Sequence, residues 1–364
     1  MVVNIQARMQ ELLEQMVASG RERGLQLAVY LDGELVVDAW AGVADDATGR
    51  PVDGQTLFPI FSTGKGITAT LLHLLVERGQ LNYDMPIAAV WPEFGVHGKR
   101  GITVRHALSH TAGLPNMPMG IGYAELSDWA TMCAAIAQLR PISEPGTETC
   151  YHAITYSWLV GEVLRRVDSR PFAQLLHEEI GVPLGISDSM FIGIPDDVEP
   201  RVAVLDEIFA PGGPVLPDDT TPQSIPGWVQ PLHTMMNRAD ARRACVPASS
   251  GIMTARALAR HYAALLPGGV DGVELLPPDR VREATQPQRP ANDPNAATSQ
   301  CFGLGYGLNG DPYTSFGHGG YGGSNGYANP THRLAVGLTK NLFSPNAAHG
   351  EICQAVHEAL GIPQ

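Results

Sequence analysis

The chain of 364 residues carries 37 acidic against 24 basic side chains, a formal net charge of −13, and 44% of it is hydrophobic. That size supports one large domain with an insertion, or two domains sharing a cleft. The negative balance argues against nucleic acid and anionic membrane surfaces as partners.

Residues 1–20 lack the basic start, apolar block and small-residue cleavage site of a secretory leader, so a cytoplasmic location is expected. No run of about 18 apolar residues offers a membrane-spanning helix. The five cysteines are odd in number, scattered and without C-x-x-C spacing, which points to reduced thiols rather than a disulfide framework or a zinc site.

In chain order, apolar spacing over Ile5 to Met16 predicts a helix, and the runs Leu25–Leu31 and Glu34–Trp40 around Asp32-Gly33 predict a hairpin. The run Leu57–Phe61 leads into a helix over Gly66–Arg78, with Gly79 suited to end it. A mostly helical middle follows, with Ser127–Gln138, Tyr156–Val167 and Pro171–Ile180 as helices and Pro211–Trp228 as a Pro- and Gly-rich loop. Near the end come strands Tyr313–His318 and Leu334–Asn341 and a helix over Ile352–Leu360. The economical assembly is an α/β fold in which an antiparallel sheet is flanked by the two terminal helices, each burying its apolar stripe on a sheet face. Residues 1–75 and 250–364 would form this part, 76–249 a helical insertion, with the active site at the junction.

Chemistry concentrates at Ser62-Thr63-Gly64-Lys65. Residues three apart share a helix face, which makes Ser62 and Lys65 neighbours. A serine hydroxyl needs a base, and a lysine serves as one only when burial or nearby positive charge lowers its pKa. The helix N-terminus adds N–H groups that support a developing oxyanion.

Around this tetrad, TLFPIFSTGKGITAT, LLVERGQLNYDMPIAAVWPEF, ITVRHALSHTAGL, PGTETCYHAITYSWLVGEVL and FGHGGYGGSNGYANP together resemble the serine β-lactamase-like, penicillin-recognising family. Within it the closest likeness is to the family VIII carboxylesterases, which share the fold of class C β-lactamases and D-alanyl-D-alanine peptidases. The resemblance places the family's S-x-x-K motif on Ser62 to Lys65, its Y-x-N on Tyr151-His152-Ala153, and its K-T-G on His318-Gly319-Gly320. It implies Ser62 as nucleophile, with Lys65 and Tyr151 managing its proton. It also implies the amides of Ser62 and Tyr321 as the oxyanion hole, and His318 as a residue orienting Tyr151 or the substrate.

Two departures bear on substrate. Ala153 replaces the asparagine that contacts the acyl amide in β-lactamases, and His318 replaces a lysine that faces the substrate carboxylate. A histidine with a reference pKa of about 6.5 is mostly neutral at pH 7, so the fixed positive charge is lost. Hydrolysis of a carboxylic ester through an acyl-enzyme is therefore expected, without metal or cofactor and with a small-molecule ester or acyl substrate. Acyl transfer to a biosynthetic acceptor, a D-amino-acid peptidase or weak β-lactamase, and a catalytically silent binding module are the alternatives. Oligomeric state is left open.

Gly322-Gly323-Ser324-Asn325-Gly326 matches the G-x-S-x-G elbow, but a β-like run with Pro330 follows it where a helix is required. His106 and His110 have the i, i+4 spacing of metal ligands without the accompanying glutamate, and are expected to fix the turn Thr111-Ala112-Gly113. Trp228, in the Pro/Gly-rich loop, is a candidate to line an acyl pocket.

Overall fold

The structure is a computed structural model, and it describes residues 5–209, 213, 220–310, 313–344 and 348–363. The first helix, α1 (Ile5–Ala18), precedes the hairpin of β1 (Gly24–Leu31) and β2 (Glu34–Asp45). Asp32 (φ 52°) and Gly33 (φ 82°) are both left-handed, the conformation that matches the twist of the flanking strands. Two short strands, β3 (Arg50–Pro51) and β4 (Phe58–Pro59), lead into α2 (Gly64–Glu77). Gly79 stops α2 with φ 69°, donating to the Val76 carbonyl while Gln80 donates to that of Leu75, which satisfies two of the helix's orphan carbonyls.

The middle holds α3 (Val104–Leu108), α4 (Trp129–Ala137), α5 (Tyr156–Asp168), α6 (Phe172–Leu176) and α7 (Val182–Leu184). The helix expected over Pro171–Ile180 is interrupted by a wider π turn at His177–Gly181. Pro183 explains this: its ring crowds the carbonyl of Glu179 and it has no N–H to donate there, so the turn before it expands. Next come β5 (Met190–Ile192), β6 (Asp206–Glu207), α8 (Leu232–Met236), α9 (Ala239–Arg243) and β7 (Gly251–Met253). Most of the first half of the loop expected over Pro211–Trp228 lies outside the described residues.

The last third holds α10 (Ala255–Ala263), α11 (Pro278–Ala284), β8 (Gly307–Asn309), β9 (Ser315–Gly319), β10 (Asn325–Asn329), β11 (Leu334–Lys340), β12 (Leu342–Phe343) and α12 (His349–Leu360). The main sheet is seven-stranded and antiparallel, in the order β3-β2-β1-β11-β10-β9-β8, so the chain's two ends meet where β1 pairs with β11. Side chains alternate across it. Leu25, Leu27 and Val29 pack with Met9, Leu13, Ile352 and Val356 of the terminal helices, whereas Ala28 and Tyr30 belong to the larger core under α2 and α10. Gly326 and Gly337 stand opposite each other in β10 and β11. A β-carbon on Gly337 would lie 2.3 Å from the Ala255 carbonyl oxygen, so this bare patch is what lets α10 sit against the sheet. A separate three-stranded sheet, β4-β7-β5, braces the chain just before α2.

Candidate active site

The turn that carries Ser62 is held from three sides. Ile60 donates its amide to the Gly251 carbonyl at 2.8 Å, tying the turn to β7, and Thr63 Oγ1 donates to the Ser324 carbonyl at 3.1 Å, tying it to β10. Between them Phe61 adopts φ 47°, a left-handed conformation costly for a bulky residue, on the order of 1–3 kcal/mol. Its ring is pinned 5.9 Å from that of Tyr321 and 5.7 Å from that of Phe343, among buried Leu205 and Met236. The strain is thus held by packing, and it turns the chain sharply so that Ser62 stands at the entrance of α2.

Lys65 is fully buried, and its Nζ makes three contacts: the Ala153 carbonyl at 2.8 Å, the Ala248 carbonyl at 3.0 Å and Ser62 Oγ at 3.0 Å. Burial holds its pKa well below the ordinary lysine value. A neutral amine has two N–H groups and one lone pair. When the amine is neutral and its N–H groups go to the two carbonyls, its lone pair is left for the serine hydroxyl; as an ammonium it donates to all three oxygens. Tyr151 lies across Lys65, with Nζ 4.9 Å from its ring centroid. Burial raises the pKa of its phenol, and a hydrogen-bonding interaction with the Ser62 hydroxyl draws it part of the way back.

Ser62, Tyr151, His318, Gly319 and Tyr321 line one cavity of about 420 Å³, together with Ile225, Thr149, Thr298, Ser299, Gln300 and Phe302. No lysine or arginine is among these described residues. His318 Nδ1 donates to the Gly319 carbonyl at 2.7 Å, which fixes the tautomer. Its pKa is lowered to about 3, by burial first and by the nearby Lys65 second, so the ring is neutral. A larger cavity of about 550 Å³ lies behind β9 and shares Gln300 and Gly319 with the cleft, but none of Ser62, Lys65 or Tyr151 lines it.

Four residues expected at the substrate sit elsewhere. His152 is fully buried and accepts the Leu114 amide on Nε2 at 3.0 Å, so it braces a loop instead of facing the cleft. Ala153 contributes its carbonyl to Lys65 and is otherwise buried. Gly320 packs on the turn that carries Ser62, where a β-carbon would lie 2.1 Å from the Ile60 carbonyl oxygen. Trp228 lines a different, smaller cavity with Met117 and Met119, and Ile225 from the same loop takes the place in the cleft. Ser324, of the elbow-like pattern, is 1% exposed at the threshold of β10, not on a strand-to-helix turn.

The turn Thr111-Ala112-Gly113 is held by backbone bonds, Thr111 donating to the His106 carbonyl and Ile142 to that of Gly113. The ring of His106 caps α3 by accepting the Thr103 amide. Sequence reasoning missed Ala248, Phe61 and Glu207. Glu207 accepts a hydrogen bond from the Tyr321 phenol and contacts His233 Nδ1 at 3.0 Å. A backbone acceptor has no residue-type signature, and the other two act through contacts far apart in sequence.

A family profile described as Beta-lactamase matches residues 9–360. The protein named Esterase/beta-lactamase LipL of Mycobacterium tuberculosis is 34% identical over 349 residues, covering 88% of this chain and 78% of LipL. The crystal structure of a family VIII carboxylesterase superposes with a TM-score of 0.87 at 28% identity, covering 99% of this chain and 98% of that one. A penicillin-binding protein homologue from Caulobacter crescentus superposes with a TM-score of 0.84 at 33% identity, covering 98% of both chains.

Proposed function

Because this chain belongs to the β-lactamase family, which includes carboxylesterases, we propose that it hydrolyses carboxylic esters through a covalent acyl-enzyme on Ser62. The observation that carries this reading is the buried Lys65 amine, donating to two carbonyls and meeting Ser62 Oγ at 3.0 Å.

The steps follow from that arrangement. Ser62 Oγ attacks the ester carbonyl as Lys65 takes its proton, and the amides of Ser62 and Tyr321 hold the oxyanion. Collapse breaks the carbon–oxygen bond of the ester, and the departing alcohol receives the proton through the Tyr151 phenol. Water then attacks the acyl-enzyme, giving its proton back through Tyr151 and Lys65 while Ser62 leaves as the hydroxyl.

An ester is favoured over a β-lactam because the described residues lining the cleft offer no fixed cation for a carboxylate, His318 being neutral, and because Ala153 has no side-chain amide to offer. Two relatives support the same choice: LipL is named an esterase as well as a β-lactamase, and the superposed family VIII protein is a carboxylesterase.

The test is turnover of short-chain p-nitrophenyl esters beside a chromogenic cephalosporin. The ester should be the better substrate, and Ser62→Ala should lose at least about 10³-fold in kcat. Wild-type ester turnover by Ser62→Ala would overturn the proposal.

A further inference from the structure

Tyr151 has no helix or strand of its own. It lies in irregular chain between the turn at Pro145-Gly146 and the start of α5 at Tyr156. Its phenol must nevertheless stay within reach of Ser62 and Lys65, and an ångström of drift there is expensive for proton transfer.

We infer that His110 is the positioning residue for Tyr151, holding the amides of the residues on either side of it, Cys150 and His152. The His110 carbonyl accepts the Cys150 amide at 2.9 Å, and its Nδ1 accepts the His152 amide at 3.1 Å. The same ring packs against the Tyr151 ring at 4.7 Å and edge-on against Phe302 at 4.5 Å, while Phe302 stacks on Tyr151 at 5.9 Å. His110 therefore fixes Tyr151 by two hydrogen bonds and one ring contact. It does not line the cavity that holds Ser62, so it acts through Tyr151 and not on substrate.

The backbone supplies an independent sign. His110 adopts φ 60°, a left-handed conformation that costs a non-glycine residue on the order of 1–3 kcal/mol. This turn lets one residue present both its carbonyl and its own ring nitrogen to the neighbouring segment. Further bonds bind the same two stretches: Gly146 donates to the Thr111 carbonyl at 2.8 Å, and Thr155 Oγ1 donates to the Leu114 carbonyl at 2.8 Å. Accepting at Nδ1 requires that nitrogen unprotonated. Burial, with His152, Lys65 and His318 nearby, keeps the ring neutral by lowering its pKa well below the usual histidine value.

This inference rests on the proposed role of Tyr151, and the experiment separates the two. His110→Asn keeps an acceptor at the Nδ1 position and tolerates the left-handed backbone. His110→Phe keeps a ring and loses the acceptor. With a p-nitrophenyl ester, His110→Phe should lower kcat on the order of 100-fold with KM changed far less, and His110→Asn should restore most of the loss.

In a Tyr151→Phe background, His110→Phe should add no further loss, because its effect runs through the absent phenol. Equal loss in both backgrounds, unchanged kcat in His110→Phe, or His110→Asn as impaired as His110→Phe would each overturn the inference. If His110→Phe fails to fold, His110→Asn alone decides: near-wild-type kcat supports the clamp and a large loss overturns it.

Should the wild type neither turn over esters nor label at Ser62, the esterase reading fails by itself. 3-Fluorotyrosine at position 151 then reports the clamp. Its ¹⁹F resonance should shift and broaden in His110→Phe and hold in His110→Asn, and an unmoved resonance in both would sink the inference.

Discussion

All three lysines of this chain are fully buried, and their surroundings separate one from the others. Lys340 pairs with Glu22 at 2.6 Å. Lys99 donates to three carbonyls, those of Val96, Ala137 and Leu139, and so uses every N–H of an ammonium. Lys65 has two carbonyls and a hydroxyl, and a hydroxyl, unlike a third carbonyl, can donate back to the amine once it is neutral. Its lowered pKa sets the direction of the pH dependence. The base works when deprotonated, so kcat/KM should fall as pH drops through the Lys65 value, on a limb well below the ordinary lysine pKa of about 10.4. His318, already neutral down to about pH 3, should not set that limb. Accordingly, His318→Gln should leave its position unchanged and Lys65→Gln should remove on the order of 10³-fold of kcat. A limb that moves with His318→Gln would contradict this assignment.

At the scale of elements, the end of β9 and the turn that carries Ser62 are fitted together through Gly320. A β-carbon there meets the Ile60 carbonyl oxygen at 2.1 Å and Thr63 Oγ1 at 2.8 Å, and backbone cannot yield as a side chain does. Gly320→Ala should push β9 away from Ser62. The expected result is a cost of about 1–3 kcal/mol in denaturant unfolding and a larger proportional loss in the rate of Ser62 labelling. Full labelling at wild-type stability would contradict the fit.

How much of this is legible in the sequence depends on the reach of each signal. The hairpin at Asp32-Gly33 and the terminal helices announce themselves through local period and turn chemistry, and Ser62–Lys65 through helical spacing. Tyr151 and His318 emerge only through resemblance, since nothing local marks an irregular segment or a short glycine-flanked strand as part of a site. The sheet β4-β7-β5 is invisible because its strands, of two or three residues, are too short to show alternation, and β4 pairs with β7 across nearly 200 positions. Trp228 goes to another cavity for a related reason, since a loop's composition does not say which of its side chains turns inward.

For the whole molecule, burial of histidines governs the response to acid. His73, His261 and His318 are lowered to about 3 and His152 to about 4, with burial the largest cause each time, and His110 is lowered well below its usual value. In the unfolded chain each titrates near 6.5. Between about pH 6.5 and pH 4 the unfolded state therefore binds more protons, so this stability is present above 6.5 and is lost as pH falls toward the folded values. Each histidine contributes up to about 1.4 kcal/mol per pH unit there, against a total stability of about 5–15 kcal/mol. The melting temperature should be nearly flat from pH 8 to 7 and fall by at least about 10 °C by pH 5. A flat profile down to pH 5 would show that these rings are not buried neutral.

The most direct test of the central claim is intact-protein mass spectrometry with peptide mapping during ester turnover. The expected result is a mass increase equal to one acyl group, located on the peptide bearing Ser62, formed fast enough to lie on the reaction path and lost as product appears. Turnover that proceeds with the acyl group on another residue, or with no covalent species in rapid-quench samples of wild type and Tyr151→Phe alike, would contradict it.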